Sequence, residues 1–348
     1  MGHQRLSRHN PYHTEVAFVV RRLIALFLGF LFSAAAIYWA VHQTDLSAVW
    51  HRIREAGALS WFPAALLYVV NFIPRGWRSR LMLLPVKDIR FRQATESVII
   101  GYSANNLLPF RVGEVVRAYS LSSATNLSTA TCLASILAER ILDALSLIVF
   151  LAICLLLAHF QAGAIRQGTM LNSIYLVAGT FMLVSAFGLA ILVLWSEHLV
   201  RLGKKFLGPK VGGILDNMLR ATSFLNRPRL LGRVLALSML IWLVEGMMFV
   251  FLAVTMRISS PLLVGYFALV IINFGILIPS TPGYVGTFEA CSILAFMTLG
   301  LDNASGLAFG ILSHSAQFLP LTALGIVIGL KMGLPALASL RMASKPSA

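Results

Sequence analysis

Five apolar windows, at residues 23–41, 141–160, 171–195, 234–256 and 305–330, approach or exceed the roughly 20 residues a helix needs to cross a bilayer's hydrocarbon. A shorter window lies at 57–74. No strand-like alternation is sustained, and lipid admits only helices or closed barrels because every backbone polar group must be paired internally. Charged residues make up 12% of the 348, against about 25% in a soluble domain. The chain therefore reads as an all-α integral membrane protein, a polytopic membrane helical bundle. Its first window follows Arg21 and Arg22, is long for a signal-peptide core and lacks a small-residue cleavage motif before His42, so it reads as an uncleaved first helix.

The net charge of +15 follows from where the basic residues fall. Residues 1–22 hold four, 75–92 ("RGWRSRLMLLPVKDIRFR") hold six, 201–233 hold eight and the tail after Gly329 holds three. Placing these segments inside, with Arg111, Arg117 and Arg140, leaves only Arg52, Arg54, Arg166 and Arg257 outside, as the excess of Lys and Arg in cytoplasmic loops requires. Nucleic acid would want those charges on one folded surface, so it is excluded as a partner, while anionic lipid head groups are expected partners. The expected order is a cytoplasmic segment 1–22, a single transmembrane domain 23–330 and a cytoplasmic tail 331–348. The domain has halves at about 23–195 and 234–330, joined by a basic cytoplasmic loop 196–233. Both termini are expected in the cytoplasm of a bacterial inner membrane.

Two apolar stretches are interrupted. "NNLLPFRVGEVVRAYSL" puts Pro109, Gly113, Arg111, Glu114 and Arg117 directly after a short apolar piece, and "ILIPSTPGYVGTFEA" breaks at Pro279, Pro282, Gly283 and Gly286 before Glu289. Parity of the inside loops requires 93–140 and 257–304 each to cross an even number of times, so both are expected as re-entrant hairpins, at about 96–112 and 265–290, beside six full crossings. They share a weak pattern through Pro109 and Pro279: Leu or Ile before the proline, Gly four residues after it, then Glu. Two interrupted segments in corresponding halves point to an inverted-repeat transporter with a site near the midplane. Ordinary loops between packed helices are the alternative.

The stretches "NNLLPFRVGEVVRAYSL", "LAERILDALSL" and "IPSTPGYVGTFEA" resemble, in order and spacing, the three motifs of the lysylphosphatidylglycerol synthase transmembrane-region family, and "RGWRSR" resembles its basic Arg-Trp element. The resemblance implies a flippase-like membrane domain. Members with a large soluble C-terminal domain attach amino acids to lipid head groups and move the product between leaflets. The chain runs only 18 residues beyond Leu330, so the translocating half alone is expected.

Arg111, Glu114 and Arg117, spaced three apart, are expected to lie near one another on a helix and to pair, and an arginine fork beside a broken helix suits a phosphate or carboxylate. Glu139, Arg140 and Asp143 are neighbours in "AERILDA", at a helix end or, if 127–160 is one helix, deeper, where ionisable groups are costly and become functional candidates. Glu245 sits mid-window in "MLIWLVEGMMFVF", with Arg233 and Arg257 at the two ends, and must pair on another helix or stay protonated. Thr287 is expected to cap a half-helix beginning near Phe288 and to attract an anion there, with Glu289 competing. Asn105, Asn106, Thr281 and Gly283 complete the expected substrate-binding set of Arg111, Glu114, Arg117, Glu139, Arg140, Asp143 and Glu289. Glu245, Glu289 and His314 are the expected proton-coupling set. Asn71, Asn105, Asn106 and Asn273 read as interhelical glue unless they line the cavity, and His314 with Gln317 forms one face of the last helix, where a satisfied interhelical histidine is the alternative to a proton relay.

No GxxxxGK[ST] is present, so nothing cradles ATP phosphates; Cys132, Cys154 and Cys291 are isolated, which argues against a disulfide framework or zinc site; no Ser-His-acid arrangement, HExxH or GxSxG occurs. No cofactor and no metal are expected. The expected function is movement of a polar or anionic lipid between leaflets without ATP hydrolysis. The alternative is a membrane-embedded enzyme or non-transporting partner of lipid-pathway enzymes.

Overall fold

The computed structural model describes residues 29–31, 33–42, 44–160, 222–277 and 281–332. The window 171–195, Arg166, the segment 1–22, most of the loop 196–233, Pro279 and most of the tail 331–348 fall outside the described residues. Every regular element among the described residues is helical: α1 (Gly29–His42), α2 (Leu46–Ala56), α3 (Ala58–Val70), α4 (Phe72–Leu83), α5 (Phe91–Leu107), α6 (Gly113–Thr125), α7 (Thr129–Phe160), α8 (Pro228–Thr255), α9 (Pro261–Gly275), α10 (Thr287–Thr298) and α11 (Asn303–Lys331). The chain is an all-α polytopic bundle. Residues 129–158 of α7, α8 and α11 are long and apolar enough to cross a membrane alone; α2 and the run Ser60–Leu83 qualify together across a bend of 77°.

That run is the first departure from the sequence expectation. Pro74 has no N–H to offer the Val70 carbonyl, which loosens the helix at Asn71, but Asn71 keeps helical φ and ψ (−62°, −14°) and the helix continues to Leu83. The window 57–74 is therefore too short, and 75–92 is not a loop up to Leu83. Arg75 and Arg78, counted above as loop charges, lie on a buried face with Phe72, Gly76, Ser79, Met82 and Leu83. Arg75 is 2% exposed and Arg78 is 0%.

The helix expected at 141–160 begins earlier, at Thr129, so the AERILDA trio lies well inside a 32-residue helix. Both hairpins are longer than expected. The first has arms α5 and α6: Gln93 Nε2 donates to the Ala124 carbonyl at 2.5 Å at the open end, and the Gly113 N–H donates to Asn105 Oδ1 at 2.8 Å at the closed end. The second has arms α9 and α10. All four arms, of 17, 13, 15 and 12 residues, fall short of the roughly 20-residue span.

The apolar core joins α8, α9, α10 and α11 through side chains such as Phe249, Phe267, Phe296 and Phe309, each 2% exposed or less. Outward faces stay apolar, as at the exposed Val149, Ile153 and Leu156 of α7.

Candidate functional site

Five helices, α4 to α8, meet in a buried ionic lattice. Arg117 grips Glu139 bidentately, at 2.9 and 2.7 Å, and donates to Ser79 Oγ at 2.9 Å. Arg78 donates to Asp143 at 2.6 Å and to Ser238 Oγ at 3.1 Å, and stands 3.6 Å from Glu139. Trp242 Nε1 also donates to Asp143, at 3.1 Å. Arg140 closes the lattice with Asp143 at 3.2 Å and Tyr102 Oη at 2.9 Å. Glu245 finds its partners on other helices, in Arg75 and in Asn71, whose Nδ2 donates at 3.0 Å. Arg75 donates also to Tyr102 Oη and lies over the rings of Tyr102 and Trp242.

The expected pairing of Arg111, Glu114 and Arg117 does not occur. A 3-10 turn, Pro109–Arg111, separates Arg111 from the helix that carries the other two. Arg117 is spent on Glu139. Glu114 accepts from the Asn105 amide at 3.3 and 3.4 Å. Arg111 has no carboxylate within 4 Å among the described residues; its guanidinium lies 5.5 Å from the ring centre of Tyr284. Asn106 donates to Thr322 Oγ1 at 2.9 Å, and Asn273 turns back on its own helix to the Leu269 carbonyl.

The second break turns through another 3-10 element, Pro282–Tyr284, with Gly283 at φ +69°. Thr287 does not cap α10. Gly286 holds the cap position and its N–H donates to Glu289 Oε2 at 2.7 Å, because the glutamate three residues into the helix reaches back where glycine offers no side chain. Glu289 Oε1 lies 2.6 Å from His314 Nδ1, and His314 Nε2 lies 2.7 Å from the Gly283 carbonyl. Phe288 stacks on the His314 ring with centres 4.4 Å apart. Thr281 bonds Ser33 of α1, hydroxyl to hydroxyl, at 3.1 Å.

The two breaks share one cavity of about 90 Å³. The first break supplies Asn105, Asn106, Arg111 and Glu114, and the second supplies Tyr284 and Phe288. Arg140 of the AERILDA helix, Arg75, Glu245 and His314 complete its charged wall. Of the expected substrate-binding residues, Arg117, Glu139 and Asp143 lie behind this wall, and Thr281, Gly283 and Glu289 support the second break. Sequence reasoning missed Arg75, Tyr102 and Trp242 as wall residues. The signal for Arg75 was present: Phe72, Gly76, Ser79 and Leu83 recur at helical spacing, so RGWRSR sits on a helix with a packed face.

Four buried polar atoms on cavity residues have no protein partner: Arg75 Nε, Arg111 Nε, Arg140 Nε and Gln317 Nε2. All four are donors. Among the described residues no group of three His, Cys, Asp or Glu could hold a metal ion.

Comparison with known proteins agrees with this architecture. The chain is 25% identical over 335 residues to the glycosyltransferase AglD of Haloferax volcanii, a match covering 86% of this chain and 53% of that protein, so the chain spans about half of that relative's length. It is 25% identical over 229 residues to a UPF0104 membrane protein of Methanocaldococcus jannaschii, covering 64% of this chain and 92% of that one. A UPF0104 membrane protein of Pyrococcus horikoshii matches at 25% over 294 residues, covering 77% and 85%. No solved structure matches the chain. The model of the lysylphosphatidylglycerol synthase TM region matches residues 26–325, and the chain belongs to that family of integral membrane proteins.

Proposed function

We propose that the cavity receives the negatively charged head group of a membrane lipid and passes it between leaflets without nucleotide hydrolysis. The observation that carries this is the character of the unmatched groups: each is an N–H donor, and a buried donor without an acceptor costs about 1–3 kcal/mol. An acceptor-rich anion such as a phosphate satisfies several at once. Charge agrees, since among the described residues Arg75, Arg111 and Arg140 line the cavity against the carboxylates of Glu114 and Glu245. The proposal includes one transmembrane domain of two inverted halves, in a bacterial inner membrane, with both termini cytoplasmic. The basic residues outside the buried lattice support that orientation.

The test is leaflet exchange of head-group-labelled phosphatidylglycerol in reconstituted vesicles, normalised to folded protein. Arg111→Ala is expected to slow exchange about tenfold or more, as loss of one charge-assisted bond of about 1.5–3 kcal/mol implies. Arg111→Lys should fall between, keeping charge but losing the planar fork. Wild-type rates in both variants would remove Arg111 from the site.

The name of the Haloferax relative favours a second reading, a membrane-embedded enzyme or partner in a glycolipid pathway. Head-group modification without exchange in the same vesicles would select it.

A further inference from the structure

The buried carboxylates of the lattice, Glu139, Asp143 and Glu245, each have an arginine within 4 Å. A guanidinium does not give up its proton, so those pairs are fixed in charge. Glu289 differs. Its ionic partner is His314, the one side chain type whose ordinary titration falls near physiological pH.

The hydrogen bonds count the protons. A carbonyl oxygen only accepts, so the contact between His314 Nε2 and the Gly283 carbonyl at 2.7 Å requires a proton on Nε2. The contact between Nδ1 and Glu289 Oε1 at 2.6 Å requires a second proton, carried by the ring or by the acid. A neutral imidazole beside an ionised carboxylate has only one proton for these two bonds. The pair therefore holds one more, with no net charge in either arrangement. When that proton leaves to water, the pair becomes −1 and one ring N–H is left facing two acceptors. Either Glu289 or the Gly283 carbonyl then loses its bond.

Both losses bear on the cavity. Gly283 is the turning residue of the second break, and His314 is part of the cavity wall. The other titratable and charged groups around the pair have stable alternatives. Tyr284 lies under Arg111, Glu245 is held by Arg75, and Glu114 is held by the Asn105 amide. Cys291, two residues along α10 from Glu289, and Tyr68 across the cavity are neutral acids whose ordinary titration lies above that of histidine.

We propose that a proton is the second ligand of this cavity, bound by Glu289 and His314, and that it binds cooperatively with the anion. A protonated pair presents no charge to an entering phosphate, whereas the deprotonated pair presents −1 and a loosened break. Linkage makes the effect reciprocal: anion binding must draw a proton onto the pair. The movement of lipid with the proton rests on the transport reading above; the proton site does not.

Two measurements on the full chain test this. Infrared difference spectra across a pH step should show imidazole and carboxyl bands that disappear in Glu289→Gln, whose amide keeps the bonds to Gly286 and His314 but holds no titratable proton. Dihexanoyl phosphatidylglycerol, whose phosphodiester does not titrate in this range, should shift the midpoint of those bands upward in pH. In vesicles of phosphatidylcholine with labelled phosphatidylglycerol, reversing an imposed pH gradient should change the wild-type exchange rate about fivefold or more, the lower end of typical couplings. Glu289→Gln and His314→Gln should each give a ratio of one against their own gradient-free rate. Absence of the Glu289-dependent bands, or a midpoint indifferent to the short-chain lipid, overturns the proposal. Bands that respond to lipid while wild-type protein exchanges nothing support the proton site and count against transport. Measurable exchange with a wild-type ratio of one overturns the coupling.

Discussion

The two breaks are built alike and equipped differently. Each turns through a three-residue 3-10 element led by proline, Pro109–Arg111 and Pro282–Tyr284, and each places its third residue at positive φ, Arg111 at 52° and Tyr284 at 62°. Those two matched residues meet, guanidinium over ring. Each break is tied to a remote helix by neutral bonds, one from Asn106 to Thr322 in the first and two between Thr281 and Ser33 in the second. Beyond that they diverge. The first carries a permanent cation with no carboxylate within 4 Å among the described residues; the second leads into Glu289, which shares a proton with His314 of α11. One backbone design thus supports a fixed charge on one side of the cavity and a variable one on the other.

The largest effect should come from neither break but from the lattice behind them. Arg117→Ala takes both guanidinium hydrogen bonds from Glu139, which is 1% exposed and is left with Arg78 at 3.6 Å, and should lower unfolding stability by about 3–5 kcal/mol in detergent. A wild-type unfolding midpoint would erase the distinction between a structural lattice and a functional wall. Gly283→Ala comes next. Its φ of +69° costs a non-glycine residue about 1–2 kcal/mol, and a Cβ would stand 2.6 Å from Phe318. The loss should be accompanied by weaker Glu289–His314 infrared bands; intact bands would show that the pair does not depend on the turn. Thr322→Val removes one neutral bond and Ser33→Ala removes two, at about 0.5–1.5 kcal/mol each. Amide exchange should quicken only at the break each one serves, and quickening at both would mean the breaks move as one body. The smallest change in stability is expected from Arg111→Gly, where relief of about 1–2 kcal/mol of left-handed strain is offset by about 0.5–1 kcal/mol of chain entropy. Its unfolding midpoint should stay at or slightly above wild type while lipid exchange falls. A clear loss of stability would make Arg111 a structural residue.

Most of this architecture was legible because long apolar windows and Pro-Gly interruptions are local signals. The AERILDA charges declared themselves for the same reason, since charges inside a continuous apolar helix need partners. The helical spacing around Arg75 and Arg78 shows a packed face but not the partners, because an arginine following an apolar window looks the same whether it faces water or a carboxylate 65 or 170 residues away. The match between the breaks was read through Pro279 and Gly283, whereas the described turns align Pro109 with Pro282 and Gly113 with Gly286, three residues later. Two prolines three apart fit one motif equally well, and only backbone dihedrals separate them. Tyr102 and Trp242 carried no signal, because an aromatic residue in an apolar helix is ordinary until a cation from another helix meets it.

The size of the cavity has a consequence for the membrane itself. About 90 Å³ is well below the roughly 300–1,000 Å³ of pockets that enclose a drug-sized molecule. In the proposed function a lipid would be gripped there by its charged end alone, with its tails outside the cavity. Acyl length and unsaturation then go unread. A cell that remodels its fatty acids with temperature would keep the same cargo recognised by the same few donors.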